Sequence, residues 1–146
     1  MIFDNNTMEI MLEHAKKEYP KECCGILLGS QVDTIKIVKK IVTMKNTEKE
    51  GREENNFLIS PIEMIDQEKK AIKEGLLILG FYHSHPEYDA IPSKKDMLYM
   101  IPEQSYPIIS IKEAYNETNC KVRSFVKVIN KENYREEIIE EEIQCK

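Results

Sequence analysis

The chain has 146 residues, 41% hydrophobic and 32% charged, with no Trp and five Gly, a size and composition that fit one globular domain and exclude collagen-like or low-complexity chains. Its net charge is −5 and its lysines and arginines do not gather into one basic stripe, so nucleic-acid binding is not suggested. The longest apolar run, Leu76 to Tyr82, is far short of a membrane span, and the N-terminal MIFDNNTMEI lacks the basic-then-apolar order of a signal peptide.

Taken in chain order, Asn5 or Asn6 is expected to cap a helix from about Thr7, with Met8, Met11, Leu12 and Ala15 as its apolar stripe and Pro20 as its stop. Cys24 to Leu28 reads as a short buried strand ended by Gly29 and Ser30. Val32 to Met44 is rich in β-branched residues, and the alternation of Ile35 and Ile37 predicts a strand half-buried on that face. The polar stretch 45–56 reads as a mobile surface loop, and Phe57 to Ile59 as a brief strand. Ser60 as cap, Pro61 in the first turn and Glu63 closing a capping box open a helix that runs to Gly75, with Ile62, Ile65 and Ile72 among its apolar positions.

The near-continuous apolar run from Leu76 to Tyr82 predicts a central strand buried on both faces, which delivers the chain to His83. Ser93 and Asp96 form a second capping pattern, opening a short helix through about Met100. Pro107 to Ile111 and Val122 to Ile129 read as further strands, and the acid-rich stretch from Glu132 to Glu142 as a solvated face of a helix or strand. With no repeat and no linker, residues 1–146 read as a single domain whose acidic C-terminal segment, 131–146, extends from it. The element order implies an α/β (α+β) sandwich, a mixed sheet with helices on its faces.

The chemistry concentrates in His83-Ser84-His85-Pro86 and, downstream, Ser93 and Asp96. Residues two apart on an extended strand share a face, so His83 and His85 can chelate one ion. Asp96, in the first turn of the next helix, is within reach of a loop of about a dozen residues. Two imidazole nitrogens and a carboxylate oxygen suit zinc, and three protein ligands leave a fourth position for water, the mark of a catalytic site. Such a water needs a base. Among many Glu, Glu22 attracts attention because it enters the first predicted strand and precedes buried-looking residues. Cys23 and Cys24, vicinal and beside Glu22, raise the further expectation of a thiolate that reaches the metal. No Cys-x-x-Cys pair is present, so a structural zinc ribbon is not expected, and a cytoplasmic, reducing location is the default.

Two histidines around a Ser, a seven-residue gap from Pro86 to Pro92, Ser93, two lysines and Asp96 reproduce without a break the motif of the JAMM metalloproteases, the catalytic branch of the MPN-domain family. Glu22-Cys23-Cys24-Gly25 resembles that family's Glu-bearing first strand, and the similarity extends from the first helix to about Ile111. The resemblance implies a cytidine-deaminase-like fold, one zinc ion held by His83, His85 and Asp96, Glu22 as general base and acid, and Ser93 as a donor to the developing oxyanion. Ser93 is also a good N-cap, so two roles compete for its hydroxyl. Ser84 points to the opposite face and is not expected to be catalytic. The implied substrate is a ubiquitin-like or sulfur-carrier protein, cleaved at the amide after its C-terminal Gly-Gly, with stretch 45–56 able to line the groove. A homodimer is compatible with this reading. A non-catalytic MPN scaffold or a metal-binding regulatory module is the alternative.

Overall fold

The computed structural model describes residues 1–4, 6–112 and 120–146. Eleven elements follow one another among them: β1 (Ile2–Phe3), α1 (Thr7–Glu18), β2 (Cys24–Val32), β3 (Ile35–Met44), α2 (Pro61–Lys73), β4 (Leu77–Pro86), α3 (Lys94–Tyr99), β5 (Ser105–Ile111), β6 (Lys121–Ile129), β7 (Glu136–Glu141) and β8 (Gln144–Cys145). The strands form one mixed sheet in the order β7-β6-β5-β4-β2-β3-β1-β8. The β4–β5, β1–β3 and β1–β8 pairs are parallel and the others antiparallel. The expected mixed-sheet sandwich is therefore present.

The sheet curls on itself. Chain steps of 3.8 Å allow only about 11 Å between the end of β7 at Glu141 and the start of β8 at Gln144, yet these strands are its two edges. The Met1 ammonium closes the gap, donating to the Glu142 carbonyl at 2.7 Å and lying 3.7 Å from a Glu141 carboxylate oxygen. The acidic C-terminal residues thus belong to the sheet: Ile138 and Ile139 pair with Lys127 and Val126 of β6, while the flanking Glu136, Glu137 and Glu140 are exposed.

Two apolar clusters fill the two faces. Phe3, Met11, Ala15, Leu27, Leu79, Tyr82 and Ile109 pack under α1. Ile26, Leu28, Ala71, Phe81, Met100, Ile108 and Phe125 pack on the side of α2 and α3. Side chains alternate along β4, so Phe81, His83 and His85 share the second face while Tyr82 and Ser84 serve the first. Gly80 marks a close approach, since a Cβ there would overlap the Ser105 carbonyl of neighbouring β5. Gly80→Ala is expected to cost about 3 kcal/mol or more, measured by denaturant unfolding, because the obstacle is backbone that cannot swing aside.

Several expectations need correction. Asn6 holds the N-cap position of α1 but makes no side-chain cap bond; Thr7 instead donates its hydroxyl to the Asp4 carbonyl at 2.7 Å. Asn5 lies outside the described residues. Gly29 and Ser30 do not end β2, which continues to Val32 through a register shift at Leu28/Gly29. In the first half of β3 the buried positions are Lys36 and Val38, not Ile35 and Ile37, one residue out of phase with the expectation. Lys36 tolerates this because its ammonium donates to the Glu103 carbonyl at 2.6 Å and to Ser105 Oγ at 2.7 Å while its stem is covered.

Residues 57–59 are not a strand. The stretch 45–56 is tied down by Asn46, whose amide donates to the carbonyls of Glu22 and Asn56 and whose oxygen accepts from the backbone of Glu48 and Leu58. The helix start at Ser60 is present, with its hydroxyl accepting from the Glu63 amide, but only this half of the expected capping box is formed. However, α2 turns Met64 and Ala71 to the core and leaves Ile62, Ile65 and Ile72 exposed.

Candidate functional site

The register of the central strands carries Glu22 to the two histidines. Cys24 pairs with His83 across β2 and β4, and the next step is locked twice: the Ser84 amide donates to the Cys23 carbonyl at 3.1 Å, and the Cys23 amide donates to Ser84 Oγ at 2.8 Å. One step further along that antiparallel run, Glu22 falls beside His85, on the face that His83 and Cys24 share. Ser84 is used up on the opposite face, as expected.

The loop after β4 is held so that α3 returns to the same place. Glu87 donates its amide to the Ile111 carbonyl at 2.8 Å, Ser110 Oγ donates to the Tyr88 carbonyl at 2.6 Å, and Lys112 contacts the Asp89 carboxylate at 2.6 Å. Helix α3 then begins with a complete capping box: Ser93 Oγ accepts from the Asp96 amide at 3.1 Å, and Asp96 Oδ2 accepts from the Ser93 amide at 2.7 Å. This box fixes the Asp96 carboxylate in its rotamer and aims it at the strand.

The result is a triangle of donor atoms. His83 Nε2 and His85 Nε2 lie 3.0 Å apart, and Asp96 Oδ2 lies 3.5 Å from the first and 3.4 Å from the second. Zinc bonds of about 2.0–2.1 Å at tetrahedral angles imply ligand separations of about 3.3 Å, so the donor set and its spacing fit a small divalent cation. His85 Nδ1 lies 3.0 Å from the Asp89 carbonyl, which accepts its proton and leaves the Nε2 lone pair for the triangle. His83 is stacked against Phe57, with ring centroids 4.7 Å apart, and its Nδ1 has no hydrogen-bond partner among the described residues.

The electrostatics follow from burial. Burial alone would raise the Asp96 pKa, but hydrogen bonds from His83, His85 and Ser93 hold its carboxyl well below the ordinary range. Burial lowers the pKa of His83. It opposes protonation of His85 too, but Asp96 and the Asp89 carbonyl outweigh it and the pKa rises. Glu22 is pushed up to about 8, first by burial, with His85 and Lys95 opposing and Asp96 reinforcing.

A carboxyl with this shift retains its proton in the folded protein between its unfolded pKa of about 4.5 and about 8, so the stability it supplies is complete below the lower value and is lost as pH rises through the upper. In chelator, Glu22→Gln should therefore match the wild type in Tm near pH 4.5, exceed it increasingly up to about pH 8, and keep a constant margin above that. A pH-independent difference would contradict the assignment.

Glu22, His83, His85, Ser93 and Asp96 all line one cavity of about 880 Å³. Its remaining wall is largely apolar, with Phe57, Phe81, Met100 and Tyr106 among the residues present. Glu48, Asn55 and Asn56 bring stretch 45–56 to its rim, and Lys95 of α3 reaches across to Asn56 Oδ1 at 2.7 Å and Glu48 at 3.6 Å. Ser93 Oγ accepts the capping bond, a role that by valence does not consume its O–H proton.

The expected thiolate is not supported. Neither Cys23 nor Cys24 lines the cavity, and burial pushes both thiols up to about 12. Sequence reasoning missed Phe57 and Asp89. Phe57 stood next to a helix cap and looked like strand, and Asp89 acts through its carbonyl, which no side chain announces.

A family model described as prokaryotic homologs of the JAB domain matches residues 4–126. Over 84 residues the chain is 30% identical to a curated protein of Thermus thermophilus named probable TtuB-protein conjugate cleaving protease, covering 58% of this chain and 52% of that protein. The chain thus spans about half the length of that relative. The solution structure of a protein from Desulfitobacterium hafniense is 33% identical, with a TM-score of 0.81 over 100% of this chain and 93% of that one. A crystal structure of a JAB1/MPN domain protein from Archaeoglobus fulgidus shares the fold at 20% identity, with a TM-score of 0.54 over 99% of this chain and 98% of that one.

Proposed function

The chain belongs to the family of prokaryotic JAB-domain homologs, and from that premise we propose that it is a zinc-dependent metallopeptidase or isopeptidase, hydrolysing the amide after the C-terminal Gly-Gly of a ubiquitin-like or sulfur-carrier protein. The observation that carries the proposal is the convergence of His83, His85 and Asp96 within 4.8 Å of one another, in one cavity with a buried Glu22. The name of the Thermus relative, a conjugate-cleaving protease, supports the substrate class.

His83, His85 and Asp96 would hold the ion, which supplies Lewis acidity towards water and the amide carbonyl. The chain's own groups do the rest. Glu22, raised by burial towards neutral pH, accepts a proton from the attacking water and returns it to the leaving amine. Ser93 donates its free O–H to the oxygen of the scissile carbonyl as negative charge gathers there. The Asp89 carbonyl keeps His85 in the tautomer that offers Nε2. The apolar wall excludes bulk water and strengthens each of these interactions. An extended Gly-Gly tail, without side chains, passes the rim between α3 and stretch 45–56.

The proposal includes a cytoplasmic location. Cys23, Cys24, Cys120 and Cys145 are all free thiols, as suits a reducing compartment, and no helix among the described residues is long and apolar enough to cross a membrane. The test is a ubiquitin-fold sulfur carrier joined through its terminal Gly-Gly to a lysine side chain or to cysteine. Free carrier should appear, disappear with chelator and return with zinc. Intact conjugate in every arm would refute the assignment.

A further inference from the structure

Helix α2 has two apolar stripes, and the fold uses one. At 100° per residue Ile62, Ile65 and Ile72 fall within an arc of about 80°, whose centre lies about 120–140° round the helix from Met64 and Ala71, which pack on the core. The three isoleucines are 74%, 50% and 68% exposed. Lys69 lies within the same arc and offers it a four-carbon stem. Isolated exposed apolar residues are ordinary, but three β-branched ones in register on a single helix face form a contiguous patch.

The charges beside the stripe select its occupant. Asp66, Lys70 and Lys73, all exposed, lie along one edge of the arc within about 60° of one another, the acid in the N-terminal part and the lysines one to two turns later. A parallel copy about a two-fold axis would turn this edge towards the arc's other edge, so that Asp66 of one chain lies near Glu68 of the other. An antiparallel copy, related by a two-fold axis, keeps the same edges together and brings Asp66 of each chain to Lys70 and Lys73 of the other, while Ile62 meets Ile72.

We propose that the exposed face of α2 is a homodimer interface, in which α2 of two copies pair antiparallel about a two-fold axis. The pairing does not depend on the hydrolase reading. A helix of 13 residues is about 20 Å long, so the contact lies at the small end of specific interfaces and the dimer is reversible at micromolar concentration.

Analytical ultracentrifugation from about 1 to 500 μM tests it. The mass should rise from 17.1 kDa to twice that value. Ile65→Glu should weaken the dissociation constant at least 100-fold with unchanged circular dichroism and Tm. The Asp66→Lys chain and the Lys70→Glu/Lys73→Glu chain should each be monomeric alone and dimerise when mixed. The mixed arm reports on pairing even if the apolar variant folds poorly. A wild type that stays monomeric throughout, a dimer indifferent to Ile65→Glu, or charge variants that fail to rescue each other would overturn the proposal.

Discussion

Replacing Glu22 with Gln should leave zinc stoichiometry unchanged and lower kcat for conjugate cleavage by about 10³-fold, close to 4 kcal/mol of transition-state stabilisation. The amide of Gln keeps the size and the buried setting of the carboxyl but cannot take a proton. The loss should fall on kcat with little change in KM, because Glu22 acts on the proton in flight and not on the bound tail. The buried position and the pKa of about 8 give the expectation its physical basis: a carboxylate in this setting is a stronger base than one in water. Zinc bound and cleavage unimpaired in Glu22→Gln would remove Glu22 from the chemistry.

The second large effect concerns Asp96, whose carboxylate both closes the donor triangle and caps α3. Asp96→Asn separates these roles. An Asn oxygen can still accept from the Ser93 amide, so α3 should survive and Tm should fall by only a few degrees. As a neutral and poor zinc ligand, however, it should weaken metal affinity by at least about 100-fold and reduce cleavage to background at limiting zinc. Equilibrium dialysis with a competing chelator measures the first and the conjugate assay the second. Full affinity in Asp96→Asn would show that two imidazoles suffice and that the carboxylate is a cap alone.

The site was legible in the sequence because its parts are local patterns. The His83-Ser84-His85 alternation needs only an extended strand, and the Ser93/Asp96 box needs only the first turn of a helix. The apolar run before His83 announced the central strand for the same reason. What the sequence hid depends on partners far along the chain. The burial of Lys36 is set by oxygens of Glu103 and Ser105, more than sixty residues away, and so the alternation of β3 reads one residue out of phase. Strand β7 is acidic because it is an edge with one outward face, and without β6 beside it that stretch looks like a solvated tail. The isoleucines of α2 look like core in a helical pattern; the sheet takes the opposite face. Two-residue strands such as β1 and β8 carry no period at all and exist only because the sheet curls around to them.

The proposed chemistry rests on an open metal site made by three side chains, with Glu22 beside it. The most direct measurement is anomalous diffraction at the zinc edge from zinc-soaked crystals. One peak should lie among His83 Nε2, His85 Nε2 and Asp96, with the fourth position open to solvent and facing Glu22. A peak elsewhere, or a closed shell in which Glu22 or Cys24 supplies a fourth ligand in every copy, would contradict the account and favour a metal-binding regulatory module.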